Sequence, residues 1–241
     1  MKKEDFEKYL MRNEDSTPIK MYRGFHAEEG EIEKHLENPF ITFNRAVPTF
    51  TGSPHTASVY AVSPNNYEHD TGDSYGVVGI YEIAMKKPLI INESRYIDYV
   101  DIREIFGSKL ETIQWQSFLE ETMSKGVWNH DGCETDLDEF NEMDQDEQDM
   151  AYIETYWLCD DARVITLLKS LGYDGIASIG VSHLDEKVED SPHYDNRICA
   201  CSEYRPFNKD QVRYESNKEM VYQNKGRVIS KEREVEMEME M

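Results

Sequence analysis

The chain has 241 residues, 39% hydrophobic and 31% charged, and its 26 basic and 49 acidic side chains give a formal net charge of −23. This length and composition predict a globular protein with a substantial core, organised as one large or two small domains. The charge argues against sequence-independent binding to nucleic acid, because no surplus of cations is available to neutralise phosphates, and it favours encounter with basic partners. The net charge does not exclude a small positive pocket that binds an anionic ligand.

The cysteines and the N-terminus predict a cytoplasmic protein. Four cysteines show no disulfide framework, which is typical of a reducing compartment. The N-terminal segment MKKEDFEKYL lacks the apolar region of a signal peptide, and no apolar run approaches the roughly 18 residues of a membrane-spanning helix. We therefore expect no membrane partner.

The first predicted strand carries two residues suited to ligand binding. Apolar spacing predicts short helices at 2–11 and 28–37, and period-two alternation predicts a strand at 19–26 between them. Arg23 presents a planar, permanently charged group that suits a phosphate or a carboxylate. Gly24 permits a sharp bend or the close approach of a ligand to the main chain. The alternative is an ordinary strand end with a surface arginine.

A strand followed by a helix is predicted next. Phe40–Phe43 is strand-like, and Thr49, Phe50 and Thr51 form a β-branched and aromatic triplet. Ser53 suits the N-cap and Pro54 the first position of a helix that reaches about Ala61. The further predicted elements are strands at 75–85 and 88–91, helices within 94–125 and 150–171, and strands at 176–179 and 198–204.

The segment 131–161 contains no Lys or Arg and contributes much of the negative charge. It does not match a calcium-binding EF-hand loop, because Phe140 provides no oxygen ligand and Asn141 stands where the loop needs glycine. We interpret it as a solvated acidic surface, with an electrostatic mimic or docking surface as the alternative.

The remaining histidines and cysteines do not predict a metal site. Cys199 and Cys201, with His183 and His193, are the nearest approach to a zinc set. Structural zinc sites generally use pairs separated by two or more residues, so this spacing does not match. The sequence does not indicate a catalytic Cys–His pair either, because nothing shows which histidine would act as the base for a cysteine nucleophile.

Three predicted strand segments complement one another chemically. Arg23 with Gly24, the triplet Thr49–Thr51, and Glu203 supply a guanidinium, two hydroxyls on one side of a strand, and a carboxylate. Breaking an N-glycosidic bond passes through a positively charged sugar, which a carboxylate near the ribose stabilises. A dinucleotide substrate also carries a pyrophosphate, for which a guanidinium is a suitable partner.

The order of these segments resembles the mono-ADP-ribosyltransferases of the arginine class, in particular the phage-type members. Their pattern is an aromatic-Arg pair, a Ser/Thr-x-Ser/Thr triplet and a late catalytic Glu. The similarity spans about residues 18–214, except over the acidic helical insert. Besides the three segments above, it rests on Gly52–Pro54, Ala57, Tyr60-Ala61, Val78–Met85, Lys87–Ile91, Leu171–Ile176, Tyr204, Phe207 and Asp210–Val212.

The resemblance implies an α+β chain with the ADP-ribosyltransferase-like fold, two packed β-sheets with flanking helices. The domain would span 1–214 with an acidic helical insert at about 94–170, and a polar tail at 215–241 would be helical or disordered. NAD would be the co-substrate and Glu203 the catalytic carboxylate. Arg23 would hold a phosphate or ribose of NAD, the Gly24 main chain the nicotinamide amide, Thr49 and Thr51 the ribose and Glu203, and Phe50 or Tyr60 would stack near the nicotinamide.

Two departures from the family pattern leave the acceptor open. The triplet is Thr-Phe-Thr, and Cys201 stands where arginine-modifying members resemble Glu or Gln, two residues before the catalytic Glu. A protein acceptor of basic character is predicted, and another side chain, a nucleic acid or water remain alternatives. If the protein is encoded by a phage, it would act in the host cytoplasm. The alternative function is an acidic interaction protein that sequesters a basic partner or mimics nucleic acid without catalysis.

Overall fold

The chain forms a mixed α/β structure with two β-sheets and flanking helices. The computed structural model describes residues 1–13, 15–41, 46–62, 74–92, 96–107, 110–179, 202–215, 220–223 and 227–230. The coarse prediction of helices flanking two sheets is confirmed.

The helices are short, and most of them lie between residues 99 and 170. They are α1 (Lys3–Tyr9), α2 (Ile32–Glu37), α3 (Pro54–Val62), α4 (Tyr99–Ile102), α5 (Thr112–Met123), α6 (Leu137–Glu142), α7 (Gln145–Met150), α8 (Thr155–Asp160) and α9 (Ala162–Ser170). Turns of 3-10 helix occur at Glu29–Glu31 and Lys209–Gln211, and a π-helical turn at Arg103–Gly107. In the described ranges, no helix combines the length and the apolar character that a membrane crossing requires.

The strands occur in both halves of the chain. They are β1 (Met21–Glu28), β2 (Phe50–Thr51), β3 (Ser74–Ile83), β4 (Pro88–Asn92), β5 (Tyr96–Asp98), β6 (Trp128–His130), β7 (Cys133–Glu134), β8 (Tyr152–Glu154), β9 (Gly175–Ile179), β10 (Glu203–Pro206), β11 (Val212–Tyr214), β12 (Met220–Gln223) and β13 (Arg227–Ser230).

The larger sheet has the short strand β2 near its centre. Among the described residues its order is β13-β12-β3-β1-β2-β10-β9-β4, and β11 also pairs with β3. The pairs are antiparallel except for β4 with β9, which are parallel. β2 joins the two halves of the sheet, because Thr51 lies opposite Tyr22 of β1 on one side and opposite Glu203 of β10 on the other.

Helix α3 lies directly against β1 and β3. The Thr56 N–H donates to Ser53 Oγ at 3.2 Å, which is the predicted N-cap contact. A Cβ atom at Gly24 would lie 1.8 Å from the Ala57 carbonyl oxygen, and one at Gly76 would lie 2.2 Å from the Ala61 carbonyl oxygen. Both glycines are therefore required by the close approach of the helix main chain to the sheet.

The predicted helical insert contains its own small sheet, of order β5-β8-β6-β7 among the described strands. Asp131 and Gly132 have positive φ angles and form the turn between β6 and β7, which a helical reading did not anticipate. The helix predicted at 150–171 is divided, because β8 pairs with β5 and β6, and because the Asp161 side chain accepts from the N–H groups of Arg163 and Val164 and so starts α9 anew.

The C-terminal segment differs from the expected disordered or helical tail. β12 pairs with β3, and β13 pairs with β12, so both extend the large sheet. The segments Met220–Gln223 and Arg227–Ser230 contain β-branched and aromatic residues close together, and the edge of β3 provides a ladder for them.

Candidate functional site

Four side chains form a row across the middle of the large sheet. Tyr22, Thr51, Glu203 and Ser178 are directly opposed in successive strands β1, β2, β10 and β9. Directly opposed residues share one face of a sheet, so the side chains of Glu203 and Thr51 are neighbours, and the Thr51 hydroxyl accepts from the Ser53 N–H at 3.2 Å. Glu203 is 5% exposed and Thr51 is 4% exposed. The structure therefore brings together the predicted carboxylate and one of the predicted hydroxyls.

Helix α3 places Tyr60 against this row. The Tyr60 hydroxyl donates to Glu203 Oε1 at a distance of 3.4 Å. Tyr60 is half-buried, and its hydroxyl end lies beside the carboxylate. Tyr60 and Glu203 are 143 residues apart in sequence, and the packing of α3 on β1 brings them together.

Arg205 and Asp160 complete the cluster, and sequence reasoning missed both. Arg205 Nη2 lies 2.7 Å from Glu203 Oε2, and Arg205 Nε donates to Asp160 Oδ1 at 3.1 Å. Burial of the Arg205 guanidinium opposes its charge, but the carboxylates of Glu203 and Asp160 outweigh this effect and hold its pKa above the ordinary value. The cluster thus contains one more negative than positive group. Asp160 lay inside an acidic run, where no sequence signal distinguished it.

The neighbouring cysteine is not a candidate nucleophile. Cys159 Sγ lies 3.7 Å from Ser178 Oγ, and the residue is completely buried. Burial raises the pKa of the Cys159 thiol to about 11, so the neutral thiol persists at physiological pH.

Arg23 lies on the opposite face of the sheet from Glu203. Tyr22 shares a face with Glu203, and successive residues of a strand alternate in direction. The Arg23 guanidinium carbon lies 5.3 Å from the ring centre of Phe25. Burial, followed by the charge of Arg23, lowers the pKa of His35, while burial raises the pKa of Tyr81 against the influence of Arg23. Arg23 is thus part of a separate polar and aromatic cluster.

The main chain of Gly24 is directed toward the β2 side of β1. The Glu215 N–H donates to the Ile80 carbonyl at 2.9 Å, so the peptide groups of Ile80 point away from β1. Tyr22 is opposite Ile80 and its peptide groups therefore point toward β2, as do those of Gly24 two residues later. The side of Gly24 that lacks a side chain is in contact with α3.

Phe50 and Thr49 occupy different environments. Phe50 is 1% exposed and packs edge-on against Tyr81, with ring centres 5.0 Å apart, so it is a core residue on the face away from Glu203. Thr49 precedes β2 and is half-buried. Of the two aromatic rings predicted to stack near a ligand, Tyr60 is therefore the one beside the carboxylate.

Several buried polar atoms at these clusters form no hydrogen bond among the described residues. They include Arg205 Nη1, Glu203 Oε2, which forms only an ion pair with Arg205 Nη2, and Tyr81 Oη on the face that carries Arg23. Such groups are costly when left unsatisfied and suit contact with a polar ligand.

Other sites give less support for binding. Within the described ranges, no group of three or more His, Cys, Asp or Glu side chains is placed to hold a metal ion. Cys199, Cys201, His183 and His193 lie outside the described residues. A cavity of about 550 Å³ lies between the turn Arg103–Gly107 and the start of α5. None of the predicted site residues lines it.

Comparison of the chain with protein-family models, with curated proteins and with solved structures finds no match.

Proposed function

We propose that the chain is an NAD-dependent mono-ADP-ribosyltransferase with the ADP-ribosyltransferase-like fold. It would move ADP-ribose from NAD to a macromolecular acceptor and release nicotinamide. The observation that carries the proposal is the buried Glu203 carboxylate, which lies beside Thr51 in the strand row, accepts from Tyr60 and is held by Arg205.

The charge of this cluster suits the reaction. The bond between ribose C1′ and the nicotinamide nitrogen breaks, its electron pair stays with the nicotinamide, and a nucleophilic atom of the acceptor bonds to C1′ and loses a proton. Positive charge develops on the ribose, and a buried cluster with an excess negative group stabilises it. Glu203 would accept from a ribose hydroxyl, and Thr49 and Thr51 would support the ribose and the carboxylate.

The predicted roles of Arg23 and Gly24 remain part of the proposal, although the structure places Arg23 on the opposite face of the hydrogen-bonded sheet from Glu203 and does not bring the two side chains together. Arg23 would hold a phosphate or ribose of NAD, and the buried Tyr81 hydroxyl beside it suits such a polar group. The Gly24 peptide groups, directed toward β2, would meet the nicotinamide amide, and the Tyr60 ring would lie near the nicotinamide.

The acceptor proposed is a basic protein. The chain has a net charge of −23, which attracts cationic partners. Cys201 stands in place of the Glu or Gln of arginine-modifying members, so a side chain other than arginine is the expected site of modification.

Transfer of labelled ADP-ribose to proteins of a cell lysate tests this function. Wild type is expected to consume NAD and label protein, and Glu203→Gln to lower both rates by at least about 100-fold while it stays folded and binds NAD, because the charged carboxylate is lost. Glu120→Gln, which removes an exposed carboxylate from α5 outside the acidic segment 131–161, is the charge-matched control. Wild type that neither cleaves NAD nor labels any protein in several lysates would contradict the proposal.

A second candidate function is an acidic interaction protein without catalysis. Helices α6 and α7 favour it, because their sequences LDEFNE and QDEQDM contain no basic residue and their acidic side chains are mostly exposed. Deleting 131–161 would remove core residues such as Phe140, Ile153 and Leu158, so neutralisation of single side chains is the better test.

A triple variant distinguishes the two functions. Asp138, Glu142 and Asp146 are exposed, and their replacement by Asn, Gln and Asn keeps their size. If the acidic surface selects an acceptor for an enzyme, this variant keeps NAD turnover on a small acceptor and loses labelling of basic proteins. If the chain is only a binder, wild type shows no turnover but captures basic proteins that the variant does not.

A further inference from the structure

We propose that Asp160 and Arg205 are positioning residues for the catalytic carboxylate, and that the helical insert thereby forms part of the site. The proposal rests on the proposed function, in which Glu203 contacts the reacting ribose. In this proposal, Asp160 at the end of helix α8 fixes the orientation of Glu203 on strand β10 through its contact with Arg205.

The contacts of Arg205 determine which carboxylate oxygen remains for substrate. Arg205 follows Glu203 by two residues on β10 and lies on the same face. Its Nη2 engages Glu203 Oε2 at 2.7 Å, whereas Tyr60 reaches Oε1 at the longer distance of 3.4 Å. The short ion pair holds Oε2, which is buried and accepts no hydrogen bond among the described residues, and Oε1 is then the oxygen directed toward Tyr60 on α3. In the proposal, a ribose hydroxyl would approach Oε1 from the α3 side.

Asp160 fixes the guanidinium in turn. Arg205 Nε donates to Asp160 Oδ1 at 3.1 Å, and Arg205 is 1% exposed. Asp160 is the last residue of α8 and follows Leu158 and Cys159, which are buried in the core that α8 shares with β9. Asp161 caps α9 and pairs with Lys125 at 2.8 Å, so the chain is held on both sides of Asp160.

A purely structural ion triad is the competing explanation. Removing one member of a buried triad lowers stability in either case, because an uncompensated charge remains. Only a positioning role predicts that turnover falls in protein that is still folded, with the affinity for substrate retained. The test therefore needs a variant that keeps a hydrogen-bond acceptor and a readout other than stability.

Asp160→Asn is the principal variant, with Arg205→Lys as the second and Glu120→Gln, at an exposed position of α5, as the charge-matched control. The Asn side chain retains an oxygen for Arg205 Nε but loses the charge. At a temperature where all variants are folded, we expect kcat to fall on the order of tenfold to a hundredfold in Asp160→Asn and in Arg205→Lys, with KM for NAD changed by less than about twofold. The control should match wild type.

A second measurement does not depend on turnover. The carboxyl carbon of Glu203, assigned in the ¹³C NMR spectrum by its loss in Glu203→Gln, should change its chemical shift in Asp160→Asn and keep it in Glu120→Gln. Unchanged kcat in folded Asp160→Asn would overturn the positioning role. If wild type shows no turnover, the proposed function fails, and the carboxyl resonance alone then decides whether Asp160 orients Glu203: a shift supports it and no shift overturns it.

Discussion

At the residue scale, the site consists of one carboxylate whose two oxygens have different partners. Arg205 holds Glu203 Oε2 and Tyr60 approaches Oε1. Thr51 lies opposite Glu203 on the neighbouring strand. Glu203 and Thr51 were predicted as site residues because each lies in a predicted strand segment and supplies a group, a carboxylate or a hydroxyl, that cleavage of an N-glycosidic bond requires. Arg205 was not, because it lies in the ordinary strand continuation Arg205-Pro206-Phe207.

Gly24 provides a residue-scale prediction. In Gly24→Ala the new Cβ atom would meet the Ala57 carbonyl oxygen at 1.8 Å and Ala61 N at 2.8 Å, so α3 has to move away from β1. We expect the free energy of unfolding to fall by about 2 kcal/mol, as is usual for overpacking. Urea denaturation measures the change.

Gly30→Ala is the matched control for this prediction. In the described part of the chain, no heavy atom lies within 4 Å of the position of its Cβ, so its effect should stay within about 0.5 kcal/mol. Equal stability of the two variants would contradict the close packing of α3 on β1.

At the element scale, helix α3 packs against β1 and brings Tyr60 to Glu203. Its N-cap at Ser53 was evident from sequence, because Ser followed by Pro is a local signal. That the same helix would bring Tyr60 to Glu203 was not evident from sequence, because this depends on the glycines that let it approach the sheet. The division of 150–171 into β8, α8 and α9 was also missed, because strand pairing overrides the local helical period.

A charge cluster connects β3 with β11 and with the N-terminal segment. Glu82 on β3 lies 3.0 Å from Lys20 Nζ and 2.7 Å from Arg213 Nε. Burial acts to raise the pKa of Glu82, but the contacts with Lys20 and Arg213 outweigh it, and the pKa lies below the ordinary 4.5. A pKa that is lower in the folded state stabilises it above the unfolded value, and this contribution is lost as the pH falls through the folded value.

Glu82→Gln should therefore lower stability most at neutral pH. Relative to wild type, we expect the loss of unfolding free energy to be constant above pH of about 5 and to shrink as the pH falls below 4.5, because Glu82 is then protonated in the unfolded chain while it stays ionised in the folded protein. The charge-dependent part of the difference is lost once the pH has fallen through the lower pKa of the folded state. Denaturant titrations across this range measure the difference. Glu31→Gln is the comparison, since the Glu31 pair with Lys34 is exposed and screened by solvent. A difference for Glu82→Gln that does not vary with pH would contradict the assignment.

At the scale of the whole molecule, local signals predicted the elements and long-range packing decided the site. β1, β3, β4, α3 and β9 follow from alternation, capping and apolar runs. The contact between Asp160 and Arg205 joins residues 45 apart in sequence, and no local period reports it. The C-terminal strands were missed because a polar composition concealed two short β-branched segments. The segment 131–161 was recognised in the sequence by its negative charge. Asp160, near its end, also contacts Arg205 in the candidate site.

The most direct test of the proposed function is the release of nicotinamide from NAD by purified protein, with cell-lysate proteins as the acceptor and lysate alone as the background. Wild type and Glu120→Gln should release nicotinamide at the same rate, and folded Glu203→Gln should bind NAD but release nicotinamide at least about 100-fold more slowly. Equal release by wild type and Glu203→Gln, or no release by wild type that binds NAD, would contradict the assignment of this chemistry to Glu203.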